Sequence, residues 1–96
     1  RDIVYIESSG HLLTIQMADG KIIKQYGSLK VMEEELSGHR FLRIHKSYLV
    51  NQRYIEDVGR QEIRLTDGTI LEMGRDRRKA LIQEIYRYEG EKYGVK

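Results

Sequence analysis

The sequence predicts a mainly β domain with one short internal helix and a helix at its C-terminal end. Three observations predict it. Short runs rich in β-branched and aromatic side chains recur along the chain, as at Ile3-Val4-Tyr5-Ile6. Asp-Gly dipeptides at Asp19-Gly20 and Asp67-Gly68 separate such runs, and both positions tolerate the positive φ of a tight hairpin turn. Apolar residues fall at helical spacing in 29–36 and 81–86.

Asp2 to Glu7 reads as the first strand, Ser8-Ser9-Gly10 as a turn and Leu12 to Met17 as the second strand. Lys21 to Tyr26 pairs back after Asp19-Gly20, which makes the first third a meander. Ser28 is placed as an N-cap, with Leu29, Met32 and Leu36 on one helical face and Glu33, Glu34 and Glu35 on the solvent side; Gly38 ends that helix. Strands are expected at 41–44 and 48–51, joined by the polar link His45-Lys46-Ser47, then at 55–58 and 62–66 around Gly59, and at 69–73 after the second Asp-Gly turn. Gly74 hands over to a helix with Leu81, Ile82, Ile85 and Tyr86 as its apolar stripe, Gly90 is expected to end it, and 88–96 reads as a polar tail.

Length and composition narrow the function. Ninety-six residues make one domain with one modest core, spanning 1–96. The chain opens at Arg1-Asp2 without an initiator methionine and reads as a piece of a longer protein. There is no cysteine, which excludes disulfides, thiolate zinc sites and cysteine nucleophiles and suits a reducing, cytoplasmic setting. No apolar run approaches the ~20 residues of a membrane span, so no membrane partner is expected. No H-E-x-x-H, G-x-S-x-G or phosphate-loop spacing occurs, so neither an enzyme, a cofactor nor a metal site is expected. The histidines His11, His39 and His45 lie on three separate loops.

Net charge is only +2, but its distribution is uneven. No acidic residue occurs from Leu36 to Ile55, where Arg40, Arg43, Lys46 and Arg53 all fall. Within that stretch, FLRIHKSYLVN at 41–51 interrupts two apolar runs with imidazole, ammonium and hydroxyl side by side, all able to donate to phosphate oxygens or base edges.

FLRIHKSYLVN, followed by Arg53 and Ile55, closely resembles the signature of the LytTR DNA-binding domain. The opening strand Asp2 to Ser8, the helix start Ser28-Leu29, the turn Thr66-Asp67-Gly68 and the pair Gly74-Arg75 extend the resemblance over nearly all of positions 2 to 82. It implies an elongated stack of small, mainly antiparallel sheets. It further implies the output domain of a bacterial response regulator, following a receiver domain, that reads double-stranded DNA at paired direct repeats upstream of promoters. Such domains enter successive major grooves with loop side chains rather than a recognition helix, and two copies are brought together by the repeat or by the receiver domain. The base-contacting positions carry over as His11, Lys46 and Arg75, with Ser47 as a backbone contact. Many members have Asn or Arg where this chain has Lys46, which bears on the base preference.

Chemistry supports those assignments independently. Arg75 and Lys46 suit guanine, which shows O6 and N7 in the major groove, and His11 can donate or accept according to its tautomer. Arg43, Ser47, Arg77 and Arg78 suit phosphates, which fix register without reading sequence. Arg77, Arg78 and Lys79 at a helix N-terminus oppose its dipole, an arrangement that a phosphate backbone would relieve; a solvated helix face is the competing reading. His45 is read as structural, orienting its loop through a side-chain hydrogen bond, and Asn51 as holding a strand end or turn. Tyr5, Tyr26, Tyr48, Tyr54 and Tyr86 are read as core and rim packing rather than a stacking platform. The alternative function is a protein-interaction or structural β-domain. RNA binding finds no matching signature.

Overall fold

The computed structural model describes residues 2–93, with side chains through Arg87. Among the described residues, eight strands and two helices form: β1 Ile3–Ser9, β2 Leu12–Met17, β3 Ile22–Tyr26, α1 Leu29–Glu35, β4 Phe41–His45, β5 Tyr48–Asn51, β6 Ile55–Val58, β7 Glu62–Leu65, β8 Ile70–Glu72 and α2 Arg78–Tyr93. A 3-10 turn at Gln52–Tyr54, which the sequence did not signal, joins β5 to β6. All pairings are antiparallel, in a five-stranded sheet of order β3-β2-β1-β5-β4 and a three-stranded sheet of order β6-β7-β8.

Period-two alternation makes the five-stranded sheet two-faced. Ile6, Leu13, Ile15 and Leu49 point to one face and pack with Leu29 of α1. Leu42, Ile44 and Val50 point to the other, joining Ile63, Leu65, Leu71 and Met73 of the second sheet and Leu81 of α2. The central sheet is thus sandwiched between α1 and the second sheet with α2. Ser28 caps α1 by accepting from Val31 N at 3.1 Å. At the second Asp-Gly turn, Asp67 accepts from Thr69 N at 2.9 Å, and this bond holds its carboxyl below the ordinary carboxylate range.

The structure corrects several local expectations. α2 runs on through Gly90 to Tyr93 instead of stopping at the glycine, whose helix-interior cost of about 1 kcal/mol the longer helix tolerates. The predicted polar tail at 88–96 falls on side chains outside those described, and residues 94–96 lie outside the described residues altogether. Tyr26 and Tyr86 are not packing residues: they are 84% and 73% exposed, Tyr26 on the edge strand β3 and Tyr86 off the buried stripe of α2. No helix among the described residues is long and apolar enough to cross a membrane.

Candidate nucleic-acid interface

Three loops meet at one end of the central sheet. The first is the β1–β2 hairpin, closed by Gly10 and His11 between the paired residues Ser9 and Leu12. Gly10 has φ +61 at the first central position, where a type II′ turn requires it. Gly27 N donates to His11 O at 2.8 Å, so the end of β3 holds the turn's backbone. His11 itself is exposed.

The second loop is the β4–β5 hairpin. His45 belongs to β4 and pairs with Tyr48, so the tip is only Lys46 and Ser47. Because β1 lies beside β5, this tip adjoins the first hairpin, and Ser8 N donates to Ser47 O at 2.9 Å. The third loop, Gly74 to Arg77, leads from β8 to α2. Gly74 N donates to Ile44 O at 2.6 Å, which ties this loop to the edge of β4. A side chain at Gly74 would press on Arg77, with a Cβ only 3.1 Å from its Cδ, so the close approach favours glycine.

The side chains at this end fall into two sets. His11, Lys46 and Arg75 are exposed, and their side chains make no hydrogen bond or ion pair among the described residues. The arginines expected at phosphates are engaged within the fold. Arg43 Nε donates to His45 O at 3.0 Å, Nη2 to Lys46 O at 2.7 Å and Nη1 to Glu33 Oε1 at 3.0 Å. Arg77 Nη1 donates to Arg43 O at 2.8 Å, and Arg78 Nε to Gly59 O at 2.9 Å. Glu33, expected on the solvated face of α1, is therefore the ion partner of Arg43, while Glu34 and Glu35 are exposed.

His45 Nδ1 accepts from Ser47 N at 3.0 Å, which leaves the proton of a neutral ring on Nε2. The ring lines a shallow cleft with Arg60, Gln61, Glu72, Arg75 and Arg78. Asn51 spans two elements: Nδ2 donates to Ile3 O at 2.9 Å and Oδ1 accepts from Arg53 N at 3.0 Å. Tyr5 and Tyr48 meet edge to face at 6.5 Å beneath the second hairpin. Burial raises both phenols above their ordinary pKa, and Glu7 adds to it.

One residue at this end escaped the sequence reading. Arg60 tips the β6–β7 hairpin and is exposed in the same cleft as Arg75, brought there because Met73 N bonds Gln61 O at 2.8 Å. A basic residue after Gly59 was visible in the sequence; which end of the fold that hairpin points to was not. No group of three or more His, Cys, Asp or Glu among the described residues could hold a metal ion.

The chain is similar to known proteins in sequence and in fold. Residues 1–86 match the LytTr DNA-binding domain family. The sensory transduction protein LytT of Oceanobacillus iheyensis is 36% identical over 56 residues, which cover 58% of this chain and 23% of that protein. The LytTr DNA-binding domain of a Bacillus cereus methyl-accepting/DNA response regulator superposes with a TM-score of 0.71 at 17% identity, over 88% of this chain and 81% of that one. With the family match running through all eight strands and into α2, the chain belongs to the LytTR family of DNA-binding domains.

Proposed function

We propose that this domain reads specific sequences in double-stranded DNA, with His11, Lys46 and Arg75 entering major grooves from three loops. The observation that carries the proposal is the convergence of those loops, each presenting a side chain without an intramolecular partner beside side chains that have one. Arg75 and Lys46 address guanine O6 and N7, and His11 addresses either a guanine acceptor or an amine. Arg60 and Lys79, exposed at the same end, join Arg78 and Ser47 in meeting phosphates. His45 and Asn51 hold the frame. The name of the Oceanobacillus relative ties that protein to sensory transduction. We accordingly place this domain as the cytoplasmic output of a response regulator, following a receiver domain and pairing two copies on direct repeats.

A second reading, attachment to a protein partner, draws on the exposed apolar residues Ile22 and Ile23 of the edge strand β3. Selection from a randomised duplex pool, read by fluorescence anisotropy at low and physiological salt, separates the two. Enrichment of a short motif with a steep salt slope is expected. Arg75→Ala then costs about 1–3 kcal/mol on the selected duplex and relaxes preference at one base pair. Equal losses on selected and scrambled DNA would remove Arg75 as a base reader, and absence of binding at either salt would favour the protein partner.

A further inference from the structure

We infer that Arg43 is a positioning residue for sequence reading: with Glu33 behind it, Arg43 fixes the Lys46–Ser47 tip, and discrimination by Lys46 depends on it without Arg43 touching DNA. The inference rests on Lys46 being a base reader.

The tip needs such support. Two-residue hairpins normally close through primed turns, which require positive φ at one or both central residues. Neither Lys46 nor Ser47 has positive φ. An irregularity in the β4–β5 register between Arg43 and His45 further loosens the ladder where it should hold the tip. The stabilisation comes from elsewhere. Five successive carbonyls, from residue 43 to residue 47, each accept a hydrogen bond from outside the tip's own turn: Arg77 Nη1 to Arg43 O, Gly74 N to Ile44 O, Arg43 to both His45 O and Lys46 O, and Ser8 N to Ser47 O. Arg43 supplies two of the five.

The geometry requires arginine. A guanidinium presents its donors in a rigid planar fork, so one side chain can face two neighbouring carbonyls and a carboxylate at once, whereas an ammonium is a single point. The Arg43 side chain is only 21% exposed, and breaking its ion pair with Glu33 to reach a phosphate would exchange one anion for another while releasing the tip. Glu33 lies on α1, on the far face of the central sheet from the second sheet, so the contact also ties that helix to the tip. A base contact depends on placement to within about half an ångström, and a loosened frame forfeits discrimination before it forfeits attraction to phosphate.

The test uses the 96-residue chain, the selected duplex, and duplexes altered at the base pair where Lys46→Ala loses preference. Arg43→Lys keeps the charge and removes the fork. It is expected to lower preference at that base pair about tenfold, to leave scrambled DNA bound within about twofold, and to leave the salt slope unchanged. Glu33→Gln, an exposed change whose thermal midpoint checks the fold, is the second variant and decides the matter if Arg43→Lys does not fold. Removing an acid should by charge alone tighten binding to every sequence; the positioning role instead predicts a several-fold loss of preference at the same pair. Full retention of preference in Glu33→Gln, or in a folded Arg43→Lys, would overturn the proposal. So would Arg43→Gln weakening selected and scrambled DNA equally, with a slope shallower by about one, the mark of a lost phosphate contact. If Lys46→Ala changes preference at no base pair, Lys46 is not a base reader and the proposal falls with that reading, whatever Arg43 does.

Discussion

The two hairpins at the interface end, β1–β2 and β4–β5, have tips of equal length and opposite construction. The first turns on its own backbone: Gly10 adopts φ +61, a Cβ added there would meet nothing within 4 Å, and Gly27 N from the end of β3 bonds His11 O. The second has no such residue and is closed by other elements, through Arg43, Arg77, Gly74 and Ser8. A turn closed chiefly by its own backbone leans little on its surroundings. A turn closed from outside is as well placed as its neighbours allow, and it ties three loops and a helix into one frame. Under the proposed function, the difference gives two loops two ways of holding a side chain in fixed aim.

This contrast can be broken at its base. Ile44 is fully buried beneath the second hairpin, and its carbonyl anchors Gly74, so Ile44→Ala should lower stability by about 2–5 kcal/mol, read from the midpoint of urea unfolding. The frame around residues 43–47 should lose amide protection with it. Comparable protection of that frame in the folded variant would show that the clamps stand without their core.

Gly10→Ala probes the other hairpin. Strain at positive φ should cost about 1–2 kcal/mol, with the loss confined to the first tip and the Lys46 end unmoved in amide chemical shifts. Shifts spreading equally to Lys46 and Ser47 would show that the two tips are not independent.

Alkali should separate the hairpins next. Tyr5 and Tyr48 have folded-state pKa values raised by burial, so folding favours their neutral forms. The associated stability is complete below the ordinary phenol value of ~10 and is lost as pH rises through the raised folded values. Circular dichroism against pH should therefore show weakening above ~10. Tyr48→Phe, which removes the phenol at the start of β5, should reduce that weakening. An unchanged alkaline profile would mean that Tyr48 ionises as easily folded as unfolded.

The smallest effect is expected at Lys79, exposed at the start of α2. Lys79→Ala should change stability by less than about 0.5 kcal/mol, weaken all DNA sequences alike and reduce the salt slope by about one. A selective loss on one sequence would promote it to a base contact.

Much of the fold was legible because its signals are local. Asp19-Gly20 and Asp67-Gly68 mark hairpins, Ser28 caps α1, and the apolar runs mark the strands. The sheet order was not legible, because β1 lies between β2 and β5 through pairings such as Ile6 with Leu49, far apart in sequence. The exposure of Tyr26 followed from β3 being an edge, which is again a matter of order. The candidate site divides the same way. His11, Lys46 and Arg75 could be picked out by residue type and resemblance, but that their loops share one end emerges only from the Ser8–Ser47 and Gly74–Ile44 bonds. Charge in the sequence also could not distinguish an arginine facing solvent from one facing carbonyls. Arg43 and Arg77 look alike on paper to Arg75, and only the folded register gives them different partners.

At the β4–β5 tip, residue 46 contributes its carbonyl to the frame and nothing from its side chain. The recognition letter is therefore separable from the page it is written on. Because the Lys46 side chain makes none of the bonds that shape the tip, the proposed reading of this residue implies that a single substitution there changes base preference while leaving those bonds in place.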